Sequence, residues 1–140
     1  MRLIDLASNV SVSDQIEVSE VFEIAEMGFQ VLINNRPDFE STDQAPSTCI
    51  EEAALKYGLD YYYFPVTGLD FPGDSLDKMS SLFNDPRRQI LAFCRSGTRS
   101  ANLWLSTLDA DVALDSAREV ARLGVDPSMF LNLMRQDRET

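Results

Sequence analysis

The chain has 140 residues, no histidine, and twelve Lys and Arg against 23 Asp and Glu, a net charge of −11. That length suits one domain spanning 1–140 with one core, and the charge works against nucleic acid and acidic membrane surfaces, which both reward basic proteins. The lack of His removes the Ser-His, Cys-His and His-metal constellations, and two Cys make neither a zinc site nor a disulfide framework, so no metal or cofactor is expected.

Strand and helix signals then alternate along the chain. Val10-Ser11-Val12 reads as a short strand. Val18, Val21, Phe22 and Ala25 have the spacing of an amphipathic helix over 17–27, with Gly28 as its left-handed stop. A short apolar strand covers 30–34, and the polar, Pro-containing stretch 35–46 is a loop. Ser47 has the chemistry of an N-cap for a helix that carries Ile50, Ala53, Ala54 and Leu55 and stops at Gly58. Tyr61-Tyr62-Tyr63-Phe64 is strand-like, and 66–74 is a Gly/Pro/Asp loop. Leu76, Met79, Leu82 and Phe83 form a helical stripe, and 89–93 is the continuous apolar run of a buried parallel strand. Helices over about 101–105 and 112–123 follow, the second ending at Gly124; Asp126-Pro127 opens a last one. The alternation predicts an α/β fold, a mainly parallel central sheet flanked by helices. Asp5 interrupts the apolar start that a signal peptide needs, and no stretch approaches the ~18 apolar residues of a membrane span. A cytoplasmic location with reduced thiols is therefore expected.

The informative segment is Cys94-Arg95-Ser96-Gly97-Thr98-Arg99-Ser100, between the buried strand and a helix. Open α/β sheets bind ligands there, beyond a strand's carboxyl end. A tight loop turns its N–H groups toward one centre, and the helix adds its positive end. Gly97 permits a positive φ; Arg99 offers a planar fork for an oxyanion; Ser100 has a hydroxyl to donate to the Cys94 sulfur. Cys94 is expected as a thiolate, which nearby amides and a guanidinium favour without any imidazole. Residues 86–108 contain no acid but hold Arg87, Arg88, Arg95 and Arg99. That focus suits a small anion, although Arg87 and Arg88 belong at the strand's opposite end, where solubility is their expected role.

The loop resembles those of two families of cysteine group-transfer enzymes: the protein-tyrosine and dual-specificity phosphatases, and the rhodanese sulfurtransferases. Beyond it, Val10-Ser11-Val12-Ser13, Ile33-Asn34-Asn35-Arg36-Pro37-Asp38-x-Glu40, Pro65-Val66-Thr67-Gly68 and Leu91-Ala92-Phe93-Cys94 through Trp104 resemble the phosphatase-like domain of beta-lactamase-hydrolase-like proteins over roughly 3–130. The resemblance implies a cysteine-phosphatase-like fold. The chain departs from the phosphatase pattern in having four residues between Cys94 and Arg99 instead of five, and Phe93 where His is usual. A smaller ring fits a persulfide better than a phosphate.

Two chemistries follow for a small anionic substrate. In phosphoester hydrolysis Cys94 attacks phosphorus, Arg99 and the 94–100 loop hold the oxygens, and Asp70 or Asp74 protonates the leaving group. In sulfur transfer Cys94 carries a sulfane sulfur and no general acid is essential. Hydrolysis leads, on the resemblance across the chain; a non-catalytic anion-sensing domain is the third reading. Arg95, Ser96, Gly97, Thr98 and Ser100 are the expected anion-binding residues, with Arg95 open between substrate contact and plain exposure. Arg36 and Glu40 read as a structural ion pair ahead of a substrate contact, Cys49 as buried packing ahead of a resolving thiol, and Trp104 as core. Oligomeric state is not legible.

Overall fold

The structure is a computed structural model that describes residues 1–139; Thr140 lies outside the described residues. Five strands, β1 (Leu3–Ala7), β2 (Val10–Ser13), β3 (Val31–Asn34), β4 (Asp60–Tyr63) and β5 (Ile90–Phe93), form one sheet in the order β1-β2-β5-β3-β4. All neighbours pair parallel except β1 with β2. The helices are α1 (Val21–Glu26), α2 (Ser47–Lys56), α3 (Leu76–Phe83), α4 (Thr98–Ser106), α5 (Ala110–Arg122) and α6 (Ser128–Glu139). This is the α/β arrangement that the alternation predicts. None of these helices is long and apolar enough to cross a membrane.

Period-two geometry divides the central strands between two cores. Val31, Ile33, Ile90 and Ala92 face one side, with Met79 and Phe83 of α3 and apolar residues of α4, α5 and α6. Leu32, Leu91 and Phe93 face the other, with Val21 and Ile24 of α1 and Ile50, Ala53 and Ala54 of α2. β3 and β5 are buried along their whole length, which is why they read as continuous apolar runs. Each fully buried Val, Leu or Ile among them contributes about 1.5–3 kcal/mol of transfer free energy. Trp104 lies in the first core, as expected.

Several local details differ from expectation. β1 has no counterpart in the sequence reading: only Ile4 of its five residues is buried, and its pairing register slips between Asp5 and Ala7. The helix expected over 17–27 is a 3-10 turn, Val18–Glu20, followed by α1; the Glu20 carboxylate accepts the Glu17 N–H at 2.8 Å and fixes that separate start. Ser47 is not the cap of α2 but its first residue. Its N–H is taken by Asp38 Oδ1 at 2.8 Å, and its hydroxyl meets that of Tyr61 at 2.6 Å. α6 begins at Ser128, one residue later than Asp126-Pro127 predicts, and Asp126 Oδ1 accepts the Ser128 N–H at 2.9 Å from just before the helix.

One buried side chain joins the later helices. Asn102 of α4 donates to the carbonyls of Thr98 (2.8 Å) and Asp126 (2.9 Å), while its Oδ1 accepts the Phe130 N–H at 2.9 Å. The N-terminal turn of α6 is thereby fixed to the helix that follows the Cys94 loop.

Candidate active site

β5 lies between β2 and β3, with Phe93 in register with Ser13 on one side and Asn34 on the other. The chain leaving β5 is consequently tied to both neighbours. Cys94 N–H donates to the Ser13 carbonyl (3.4 Å), Gln15 N–H to that of Arg95 (3.3 Å), and Asn35 N–H to that of Phe93 (2.9 Å). Cys94 is buried at the base of the loop, and the Gly97 N–H donates to its sulfur at 3.1 Å. That return of the chain requires φ +92° at Gly97, a left-handed conformation that favours glycine, while a Cβ there would meet the Ser13 backbone at an ordinary contact distance of 3.4 Å.

α4 begins at Thr98, immediately after this turn. Among the described residues, the backbone N–H groups of Arg95, Ser96, Arg99 and Ser100 have no acceptor. Four amides around a buried cysteine, at the positive end of a helix, are suited to an anion. Ser96 and Thr98 pair their hydroxyls at 3.1 Å. The Arg95 side chain is exposed and makes no hydrogen bond or ion pair among the described residues. Its charge does reach Asp43, whose carboxyl is held below the usual range chiefly by the Ser41 hydroxyl.

Arg99 is held by two loops. Its Nη1 donates to Glu40 Oε2 (3.0 Å) and to the Val66 carbonyl (2.9 Å), and its Nη2 donates to Glu40 Oε1 (3.3 Å). Glu40 also accepts from Arg36 Nε at 3.0 Å, and buried Arg36 continues to Gln15 Oε1 at 3.0 Å. The Arg36–Glu40 pair expected from the sequence is present. Its extension to Arg99, 59 residues away, has no local signal in the sequence, and only the adjacency of both segments to the ends of neighbouring strands hints at it. Burial opposes the Glu40 charge, but hydrogen bonds from Arg99 and Arg36 outweigh it and hold the carboxyl below its ordinary range.

Ser100 does not serve the sulfur as expected. Its hydroxyl donates to Asn35 Oδ1 at 2.8 Å, deep in the fold. The Asn35 amide is oriented by its own donation to the Phe64 carbonyl at 3.0 Å, which turns the oxygen toward Ser100. Ser100 with Asn35 thus anchors α4 to the end of β3.

The two acid candidates stand apart. Asp70 is exposed on the 66–74 loop, where Oδ1 accepts the Thr67 hydroxyl (2.8 Å) and N–H (2.6 Å). Those bonds hold its carboxyl below the usual range, with a smaller contribution from the Arg99 charge. Asp74 is exposed farther along the same loop, with no side-chain hydrogen bond or ion pair among the described residues. Arg87 and Arg88 lie at the other end of β5, paired with Asp85 and Asp60. Cys49 is exposed, in a surface groove of about 590 Å³ with Phe22 and Tyr57, and not packed as expected.

The chain is similar to proteins of known family and fold. The family described as "Beta-lactamase hydrolase-like protein, phosphatase-like domain" matches residues 2–113. A beta-lactamase hydrolase-like protein of Xylella fastidiosa is 29% identical over 104 residues, which are 74% of this chain and 24% of that protein; the chain spans about a quarter of the length of the curated relatives it matches. Among solved structures, a candidate phosphatase from Neisseria meningitidis is 26% identical, with a TM-score of 0.70 over 88% of this chain and 89% of that one. The active form of Tk-PTP shares the fold, at 16% identity and a TM-score of 0.65 over 96% and 94% of the two chains.

Proposed function

The chain belongs to the phosphatase-like domain family of beta-lactamase hydrolase-like proteins, and from that premise we propose that it hydrolyses small anionic phosphoesters through Cys94. The observation that carries the reading is Arg99 in the first turn of α4, five residues after buried Cys94, with its Nε–H and one Nη2–H free of any acceptor among the described residues. A phosphoryl group on Cys94 presents three oxygens to that edge and to the loop amides.

The reaction has two displacements. The Cys94 thiolate attacks phosphorus, an S–P bond forms, and the bond to the leaving oxygen breaks. Asp70 is the nearer candidate to give that oxygen its proton, because its loop is tied to Arg99 through Val66 and Arg99 acts on its charge. The Thr67 bonds favour the ionised form at rest, and an arriving dianion opposes that preference. Water then attacks phosphorus, the S–P bond breaks, and Asp70 takes the proton. Ser96, Gly97, Thr98 and the first turn of α4 supply the cradle. Arg95, exposed at its rim, meets the anion on entry.

The full chain is to be assayed with an aryl phosphate and, separately, with thiosulfate and cyanide. Phosphate release that falls by about 10³-fold or more in Cys94→Ser supports hydrolysis. Thiocyanate formation without phosphate release replaces it by sulfur transfer. Phosphate bound without turnover replaces it by anion sensing.

A further inference from the structure

We propose that Glu40 is a positioning residue: it fixes the Arg99 guanidinium so that the Nε–Nη2 edge is the one offered to the bound phosphoryl group. The inference rests on the hydrolytic reading above. Arginine has five N–H donors in a rigid plane, and they are not equivalent. Nη1 uses both of its hydrogens, one on Glu40 Oε2 and one on the Val66 carbonyl, and Nη2 uses one on Glu40 Oε1. What remains is Nε–H and the second Nη2–H, two parallel donors on a single edge. That edge matches two oxygens of one tetrahedral oxyanion.

Glu40 is itself held. Its Oε1 accepts from Arg36 Nε, and Arg36 is buried, with its other contacts to Gln15 Oε1 and, through its N–H, to Asn34 Oδ1 at 2.9 Å. The chain Gln15–Arg36–Glu40–Arg99 thus starts from the ends of β2 and β3, the strands that flank β5. Phe39, immediately before Glu40, has φ +69°, a conformation that a bulky residue adopts only when its surroundings determine it, and its side chain is 94% exposed. The contacts that set the backbone here are those of its neighbours. Two guanidinium groups against one carboxylate leave this cluster with a single positive charge, so Glu40 orients Arg99 without cancelling its attraction for an anion. Orienting a long side chain before the ligand arrives removes part of the ordering cost of binding.

Charge and geometry predict opposite outcomes, which makes the test sharp. Inorganic phosphate is titrated calorimetrically into the full chain carrying Cys94→Ser, alone and combined with Glu40→Gln or Glu40→Asp. Thermal unfolding of each protein is followed alongside. Positioning predicts that both Glu40 variants bind phosphate about tenfold more weakly while unfolding cooperatively: Gln loses the charge-assisted bonds, and Asp keeps the charge but loses reach. Simple electrostatics predicts tighter binding for Gln, which removes a negative charge, and no change for Asp. Either result overturns the role of Glu40. Absence of phosphate binding in the parent Cys94→Ser protein overturns the hydrolytic reading and this inference with it, whereas parent binding that both Glu40 variants preserve overturns this inference alone.

Discussion

The two ends of β5 carry the same kind of residue in different states. At the amino end, Arg87 gives Nε and Nη2 to Asp85 Oδ1 and Oδ2, at 3.0 and 3.2 Å, so its fork edge is occupied. Arg88 beside it is paired with Asp60. At the carboxyl end, Arg99 is also paired with a carboxylate, but Glu40 takes the Nη1–Nη2 end and leaves the fork edge free. Both ends are salt-bridged, and a count of charges does not separate them. The edge on which the carboxylate sits does.

The largest effect expected from breaking this contrast is at Arg99. Arg99→Ala should lower kcat/KM for an aryl phosphate by about 10²–10³-fold, the usual consequence of losing one oxyanion donor. Arg87→Ala and Arg88→Ala should leave it within about twofold, as ordinary surface substitutions do. Steady-state kinetics on the three proteins measures the contrast directly, and equal losses at all three would dissolve it. Next is Gly97, the turn that returns its N–H to the Cys94 sulfur and leads into α4. Gly97→Ala should destabilise the fold by about 1–2 kcal/mol, from the left-handed φ alone. Denaturant unfolding reads the loss.

The smallest effect is a pH dependence. The Glu40 carboxyl lies below its unfolded value of about 4.3 in the folded chain. Its contribution to stability is therefore complete above about pH 4.3 and is lost as the pH falls through the lower, folded value. Urea midpoints should drop from pH 6 to pH 3, and Glu40→Gln should lessen that drop. An identical pH profile in the variant would remove Glu40 from the acid response.

How much of this was legible in the sequence depends on the range of the interaction. β5 was readable because both of its faces are buried, and the Cys94 loop because Gly97 and the start of α4 follow within a few residues. Arg36 and Glu40 were readable as a pair because they are four residues apart. The tie from Glu40 to Arg99 was not, since only the sheet order brings those segments together. Ser100 departs from expectation for a related reason: its hydroxyl follows an amide that Phe64, far away in sequence, orients. Cys49 borders the apolar stripe of Ile50, Ala53 and Ala54, and at a stripe's margin helical phase alone does not decide exposure. β1 carries little sequence signal because one buried residue and a slipped register leave little alternation.

Asn102 carries a consequence for how this unit can be cut. The family match stops at residue 113, inside α5, yet Ala117, Val120, Val125 and Phe130 beyond that point belong to the same core as Trp104 and Leu105. A fragment trimmed to the matched segment would retain Cys94, Arg99 and Glu40. It would also strip the apolar cover from α4 and leave the buried Asn102 amide without the Asp126 carbonyl and Phe130 N–H that satisfy it. For grafting or dissection, then, the boundary set by sequence similarity and the boundary set by hydrogen bonding are different, and the second lies past the start of α6.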